Sequence, residues 1–415
     1  MSMWAKRRLA IEILEHIIEL EENQPKKRRR RCWCKPCPQP KENPSPPGPK
    51  TEITESSPED FRNHLGMSEE SFRNLLAVVK PLIEKKDTVM RASIPAEQRL
   101  AATLRFLATG RSLQELKTST SISVPALSSI IPETCEAIVG ALRDGYLKFP
   151  KNPREWRNVA DDFETLWQFP NCGGALDGKH IRISKPPNSG SRYYNYKGFC
   201  SIILVAVVNA NYQFLMVDVG KNGCASGGGG VLEQTKFHQL LQSNDLNLPT
   251  REDTKQNLNF VFIGDEAFPL HKHLLKPFPQ RQLNKERKIL NYRLSRARRV
   301  AENAFGIMAH RFRIFHTPIN LLPEKIDKVV VACCVLHNYL LHHDPHTYSP
   351  ASMMDLEDIK NHEMVHGEWR EDSDMITPLQ PLCARGVCDD AIRSREQYAE
   401  YFNGIGSVSW QDAML

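Results

Sequence analysis

Long apolar runs are missing from this chain. No stretch reaches the ~18 uninterrupted apolar residues of a membrane helix, and the nearest, Val329 to Leu341, is broken by His337 and Asn338. No membrane association is expected. A secretory leader is lacking too: from Met1 to Leu20 acidic residues interrupt the apolar ones at helical spacing, as in an amphipathic helix, and no small-residue cleavage site follows. Cysteine occurs eleven times, an odd number, and without a leader it implies reduced thiols in an intracellular protein rather than a disulfide framework. Cys32, Cys34 and Cys37 lack a fourth ligand at paired spacing, so no structural zinc is expected there. No internal repeat is visible.

What remains is an ordinary globular composition, 40% hydrophobic and 25% charged over 415 residues. The net charge of +6 is modest, but positive residues bunch at Lys26 to Arg31 and along Arg281 to Arg313. Such bunching suits a polyanion, because each neutralised phosphate releases counterions; a solvated basic face is the alternative. Residues 1–25 read as an N-terminal helix. Residues 26–56 are basic, then rich in Pro, Lys, Asn and Ser, and form a disordered linker whose hexamer Lys26 to Arg31 is a nuclear localisation signal or a nucleic-acid arm, so a nuclear location is expected.

Residues 57–150 are periodic at helical spacing, with an N-cap near Ser68, and with Phe72, Leu75, Leu76 and Val79, then Leu100, Leu104 and Leu107, facing inward. A short helix from Ser112, a turn at Ile122 to Val124 and a second helix at Pro125 to Ile131 suit a helix-turn-helix. That second helix has no Lys or Arg, so a purely structural bundle fits equally.

From residue 151 to about 345 strand patterns take over. Gly173 to Ile183 is a first strand; Cys200 to Val208 is so continuously apolar that both faces must be covered. A turn at Asn209 leads to Tyr212 to Val219, a helical crossover spans Val231 to Leu241, and Leu258 to Ile263 is a fourth strand. Short turns followed by a helical crossover predict an α/β fold with a mixed sheet flanked by helices. A basic helix at Asn291 to His310, with Leu294, Ala297, Ala301, Ala304 and Met308 on one stripe, and an apolar helix at Lys325 to Leu341 complete it. Residues 346–415 read as a tail without an assigned role.

Three carboxylates stand where burial is the rule: Asp177 in the first strand, Asp265 directly after the fourth, and Glu302 on the basic helix. A buried carboxylate needs a cation or a hydrogen-bond shell. If the first and fourth strands are neighbours, Asp177 and Asp265 converge at the strand ends, where open α/β sheets hold ligands. With Glu302 they form an oxygen-ligand set suited to two Mg²⁺ (or Mn²⁺) ions, with Asp177 bridging, and to in-line displacement at phosphorus. Taken singly, each acid is more readily a cap, a turn residue or an ion-pair partner; Glu302 has Arg298 one turn before it. Lys288, Arg293, Arg296, Arg298 and Arg299 exceed what such pairing needs and would grip phosphates. Arg192 and Lys197 alternate with Tyr193, Tyr194 and Tyr196 in a loop whose rings could stack on an unpaired base. His180, three residues past Asp177, points to the other face and reads as structural.

The segments Gly174-Ala-Leu-Asp-Gly-Lys-His-Ile181, Asn195-Tyr-Lys-Gly198, Gly264-Asp-Glu-Ala-Phe-Pro-Leu270, Asn291-Tyr-Arg-Leu-Ser-Arg-Ala-Arg-Arg299 and Glu302-Asn-Ala-Phe-Gly306 resemble the PIF/Harbinger transposases and their domesticated nuclease relatives, over about residues 60 to 345. The resemblance implies an RNase H-like core with an Asp-Asp-Glu triad at Asp177, Asp265 and Glu302, DNA as substrate, and a separate Myb-like DNA-binding partner; oligomerisation is left open. In one place the chain departs from the family: a further aspartate after the third strand is replaced by the run Ser226 to Gly230, with Asp218 nearby. Two functions follow as expectations: a metal-dependent DNA endonuclease with strand transfer as an added step, or a catalytically silent DNA-binding or adaptor protein on the same fold.

Overall fold

The computed structural model describes residues 58–414 except 90–91, 226, 359–362, 373–375 and 382–387. The helix expected over 1–25, the linker over 26–56, Cys32, Cys34 and Cys37 lie outside the described residues, as does Ser226.

Five helices come first: α1 Pro58–Leu65, α2 Glu69–Ile83, α3 Ala96–Thr109, α4 Leu113–Thr120 and α5 Val124–Tyr146. Ser68 caps α2 by accepting from the Ser71 amide, and Ser112 with Glu115 forms a capping box on α4, so both starts satisfy amides that the helix itself leaves unpaired. Leu75, Val79, Leu100, Leu104 and Leu107 are buried as their spacing predicts. The helix expected at Pro125 to Ile131 is instead the start of one 23-residue helix, which runs through Pro132. Its Leu127 and Ile131 are fully buried, and Lys325 Nζ donates to the Ser128 carbonyl at 3.0 Å. The would-be recognition segment thus packs Leu127 and Ile131 inward and leaves Pro125 and Ser129 exposed.

After α6, Pro153–Trp167, the sheet begins with β1 Cys172–Arg182, β2 Ser201–Val208 and β3 Phe214–Asn222, an antiparallel meander. All eight residues of β2 are buried, as a both-faces-covered strand requires; each such aliphatic side chain contributes roughly 1.5–3 kcal/mol. Two short helices, α7 Gly227–Glu233 and α8 Lys236–Gln242, cross over to β4 Val261–Ile263, and β5 Leu274–Leu275 follows. The crossover expected as one helix is two because Thr235 caps the second. The strand order is β3-β2-β1-β4-β5, with β4 and β5 parallel to β1, the mixed sheet of an RNase H-like core.

Helix α9 Lys285–Arg311 and helix α10 Pro323–His343 cover one face of the sheet. Their stripes join β1, β2 and α1 to α5 in one hydrophobic cluster, which makes the early helices part of the same core. On the other face a smaller cluster gathers Trp156, Leu176, Val205, Phe237 and Phe262. The chain beyond 345 is not a featureless tail. It forms α11 Pro345–Tyr348, the hairpin β6 Leu356–Asp358 with β7 Glu363–Val365, β8 Thr377–Pro378 paired to β1, and α12 Asp389–Asn403 packed on α9. No single described helix is long and apolar enough to cross a membrane.

A candidate acidic cleft

β1 and β4 are parallel neighbours with Ala175 opposite Ile263. Asp177 and Asp265 each lie two residues further on, so the shared register sets them side by side on the same face, one strand spacing of ~4.8 Å between backbones. Helix α9 crosses that face and presents Glu302 there. Asp265, Glu302, Lys179 and Arg298 line one cleft of about 530 Å³, while Asp177 does not line it and is fully buried behind Lys179.

The charges are interlocked. Asp177 Oδ1 accepts from the Gly178 amide at 2.7 Å, while Oδ2 is buried, lies 2.8 Å from Lys179 Nζ, and has no well-aligned hydrogen bond. Burial first, and the Asp177 charge second, push the Asp265 carboxyl up to about 6, against the pull of Arg298, the Ala267 amide and Lys179. Burial opposes the charge on Arg298, yet Glu302, Asp177 and Asp265 together hold its pKa above the ordinary value. One guanidinium thus senses all three acids. It donates to Glu302 Oε1 one turn along the helix, and Arg370, from beyond the sheet, lies 3.4 Å from Glu302 Oε2.

Residues 176–338 match the family described as DDE superfamily endonuclease. Beyond that segment the chain is similar to Harbinger-derived DDE nucleases. It is 26% identical to "Protein ALP1-like" of Arabidopsis thaliana, over 69% of this chain and 71% of that one. To "Putative nuclease HARBI1" it is 25% identical in Xenopus laevis, over 66% and 76%, and 26% in Homo sapiens, over 67% and 76%. No solved structure matches. The family supports a nuclease- or transposase-like function.

A hard divalent ion, the kind DDE nucleases generally use, suits an all-carboxylate donor set. The buried Oδ2 of Asp177, met by Lys179 alone, and the mutual repulsion of Asp177 and Asp265 fit such an ion in kind. Among the described residues, however, no three acidic, His or Cys side chains are grouped closely enough to hold one, because Glu302 is turned to two arginines.

Three of the five basic residues expected to grip phosphates from the long helix do not face solvent, which corrects that reading for Arg293, Arg296 and Arg299. Arg293 is 1% exposed; it donates to Gln411 Oε1 at 2.9 Å and to the carbonyls of Gly406 and Gln168, stacks on Phe402, and is pushed down to about 10 by burial. Arg296 donates to Glu357 Oε2 at 2.7 Å and to the Trp167 carbonyl at 2.8 Å, and Arg299 lies 3.8 Å from Glu357 Oε1. These three clamp the C-terminal residues to α9 and α6; a basic helix face reads alike whether its partner is DNA or the chain's own later residues. Arg298 lines the cleft, and Lys288, Arg192 and Lys197 are exposed, as are Tyr194 and Tyr196.

His180 points away from the acids, as strand alternation predicts: its Nδ1 bonds Ser201 Oγ at 2.9 Å, and burial pushes it down to about 4. Asp218 stands opposite Val205, in the row of Gly178 rather than Asp177, and pairs with Lys221, so it does not replace the family's further aspartate. The sequence reading missed Lys179, two residues from Asp177 and so on the same strand face, a signal that period-2 alternation carries. It also missed Leu379, Trp369 and Arg370. Leu379 lies over Gly178, where a Cβ would come within 2.4 Å of its Cδ1, and Trp369 lies over Gly306, where a Cβ would sit 2.2 Å from its ring. Nothing local in residues 369–379 announces that contact.

Proposed function

We propose that this chain is a divalent-metal-dependent DNA endonuclease of the Harbinger type, with strand transfer by the freed 3′-hydroxyl as a second step. The observation that supports the reading is the parallel β1–β4 register, which sets Asp177 beside Asp265, and Asp265 shares a cleft with Glu302 of α9. Those three carboxylates would hold Mg²⁺ or Mn²⁺, which supplies Lewis-acid polarisation of the phosphodiester and a more acidic water. Glu302 would exchange its arginine partners on loading. In hydrolysis a water oxygen bonds to phosphorus and the 3′ oxygen leaves with a proton. Lys179 holds Asp177 in place, and Arg298 offsets repulsion between the acids and the incoming phosphate. The exposed Arg192, Lys197 and Lys288 extend the contact along the backbone, and the exposed Tyr194 and Tyr196 are placed to stack on a base. A nuclear location and a Myb-like partner, since no helix in the described bundle offers a basic reading face, belong to the same reading.

One observation favours the catalytically silent alternative: Asp177 and Glu302 already have basic partners inside the chain. Nicking of supercoiled DNA in Mg²⁺ or Mn²⁺ separates the two. The nuclease nicks, and Asp177→Asn loses at least ~100-fold in rate while keeping its circular dichroism. Equal rates for the two proteins, or no calorimetric binding of either ion by the native chain, would leave the silent reading in place.

A further inference from the structure

The matched family segment stops at residue 338, yet the cleft has a wall from beyond it. Trp369 and Arg370, in the turn Glu368–Asp372, line the cleft opposite Arg298, as do Ile376 and Pro378. Their placement is built from buried parts. Asp355, whose carboxylate is fully buried, accepts from the Gly367 amide at 2.9 Å and takes Arg370 Nε at 2.8 and 3.0 Å and Nη2 at 2.5 Å. Trp369 Nε1 donates to Asn303 Oδ1 at 3.0 Å, the same oxygen that accepts the Asp355 amide, and the Arg370 guanidinium lies 4.5 Å from the Trp369 ring centre. One edge of the guanidinium is thus anchored on a buried carboxylate. From Nη2 it reaches Glu302, and among the described residues Nη1 has no hydrogen bond or ion pair.

We infer that Arg370 is a DNA-phosphate contact of the cleft, supplied by the C-terminal residues to the phosphate beside the one that is cut. A cleft lined by Asp265 and Glu302, with Asp177 buried beside them, repels a phosphodiester unless cations face it. Of the three that do, Lys179 and Arg298 have side chains 14% and 17% exposed, against 38% for Arg370. A planar guanidinium held at one edge offers its other donors in the fork geometry that two non-bridging phosphate oxygens accept, at little further entropic cost. Its hold on Glu302 is the long one, at 3.4 Å, and is the one an incoming phosphate would replace.

The inference rests on the nuclease reading for its position, but its test does not need catalysis. Binding of the whole chain to a fluorescent DNA duplex is measured in EDTA across NaCl concentrations for the native protein, Arg370→Ala and Arg370→Lys. Arg370→Ala should weaken binding roughly tenfold at low salt and lower the slope of log K against log salt by about one. Arg370→Lys keeps the charge and restores the slope, while in Mg²⁺ its KM for nicking rises several-fold because the fork is gone. Should Arg370→Ala fail to fold, Arg370→Gln takes its place in the same binding measurement in EDTA, with the same loss of about one in slope expected. An unchanged slope and affinity in the Ala variant, tighter binding or faster nicking without the arginine, or a Lys variant identical to the native protein would each overturn the assignment. Native protein that binds DNA with this arginine dependence but never nicks would refute the nuclease reading and leave the phosphate contact standing.

Discussion

Replacing Asp265 by Asn should make the metal-free protein more stable. Burial and the neighbouring Asp177 push the Asp265 carboxyl from 3.8 to about 6. That is roughly two pH units, which at ~1.36 kcal/mol each makes about 3 kcal/mol as an order of magnitude. The sign follows from a folded-state value above the unfolded one. Below about pH 4 the carboxyl is protonated in both states and nothing is lost; as pH rises through about 6 the folded state is forced to ionise, and above that the full penalty applies. Asn mimics the protonated form at every pH. At pH 7.5 in EDTA the variant should therefore melt higher by about 3 °C, taking ~2.1 cal/mol/K per residue over 415 residues, and the gain should shrink to nothing by pH 4. Scanning calorimetry of both proteins from pH 4 to 8 measures this. Asp177→Asn should lower the Asp265 value and so flatten the same pH profile. A variant no more stable than the native protein at pH 7.5, or a gain independent of pH, would refute the picture of two carboxylates in conflict. The divalent ion should act oppositely, stabilising the native chain by RT ln(1 + [ion]/Kd) and the Asn variant much less.

Other substitutions separate structural from DNA-facing charges. Glu357→Ala strands Arg296 and Arg299 beside α9 and should cost about 3–5 kcal/mol, read as a lower midpoint in urea; a midpoint within error of the native one would return those arginines to the DNA-contact class. Lys288→Ala, Arg192→Ala and Lys197→Ala should leave that midpoint unchanged and each lower the salt slope of DNA binding by about 0.9; if all three leave the slope where it was, DNA runs elsewhere. Gly306→Ala gains up to ~1 kcal/mol of helix propensity but places a methyl inside the Trp369 ring, so tryptophan emission should shift to the red and nicking should fall. Unaltered emission would show that Trp369 does not pack there.

The sequence by itself carried everything that local periodicity and strand alternation can encode. The antiparallel meander, the crossover to β4, the buried stripe of α9 and the opposite orientations of Asp177 and His180 all follow from spacings of two or about 3.6 residues. The three acids were legible because carboxylates inside apolar strands and on a packed helix demand an explanation, and the family resemblance gave them one. Tertiary structure alone decided what faces them. Arg293, Arg296 and Arg299 look like a DNA grip until Glu357, Gln411 and the carbonyls of Gln168 and Gly406 arrive from distant parts of the chain. The short helix expected at Pro125 is the first part of a 23-residue helix packed against α10. Residues 355–379 have weak periodicity, and their role as a cleft wall rests on contacts such as Arg370 with Glu302, 68 residues apart. Spacing reports which side a residue takes on its own element; which partner waits on that side is settled when separate elements compete to bury the same surface.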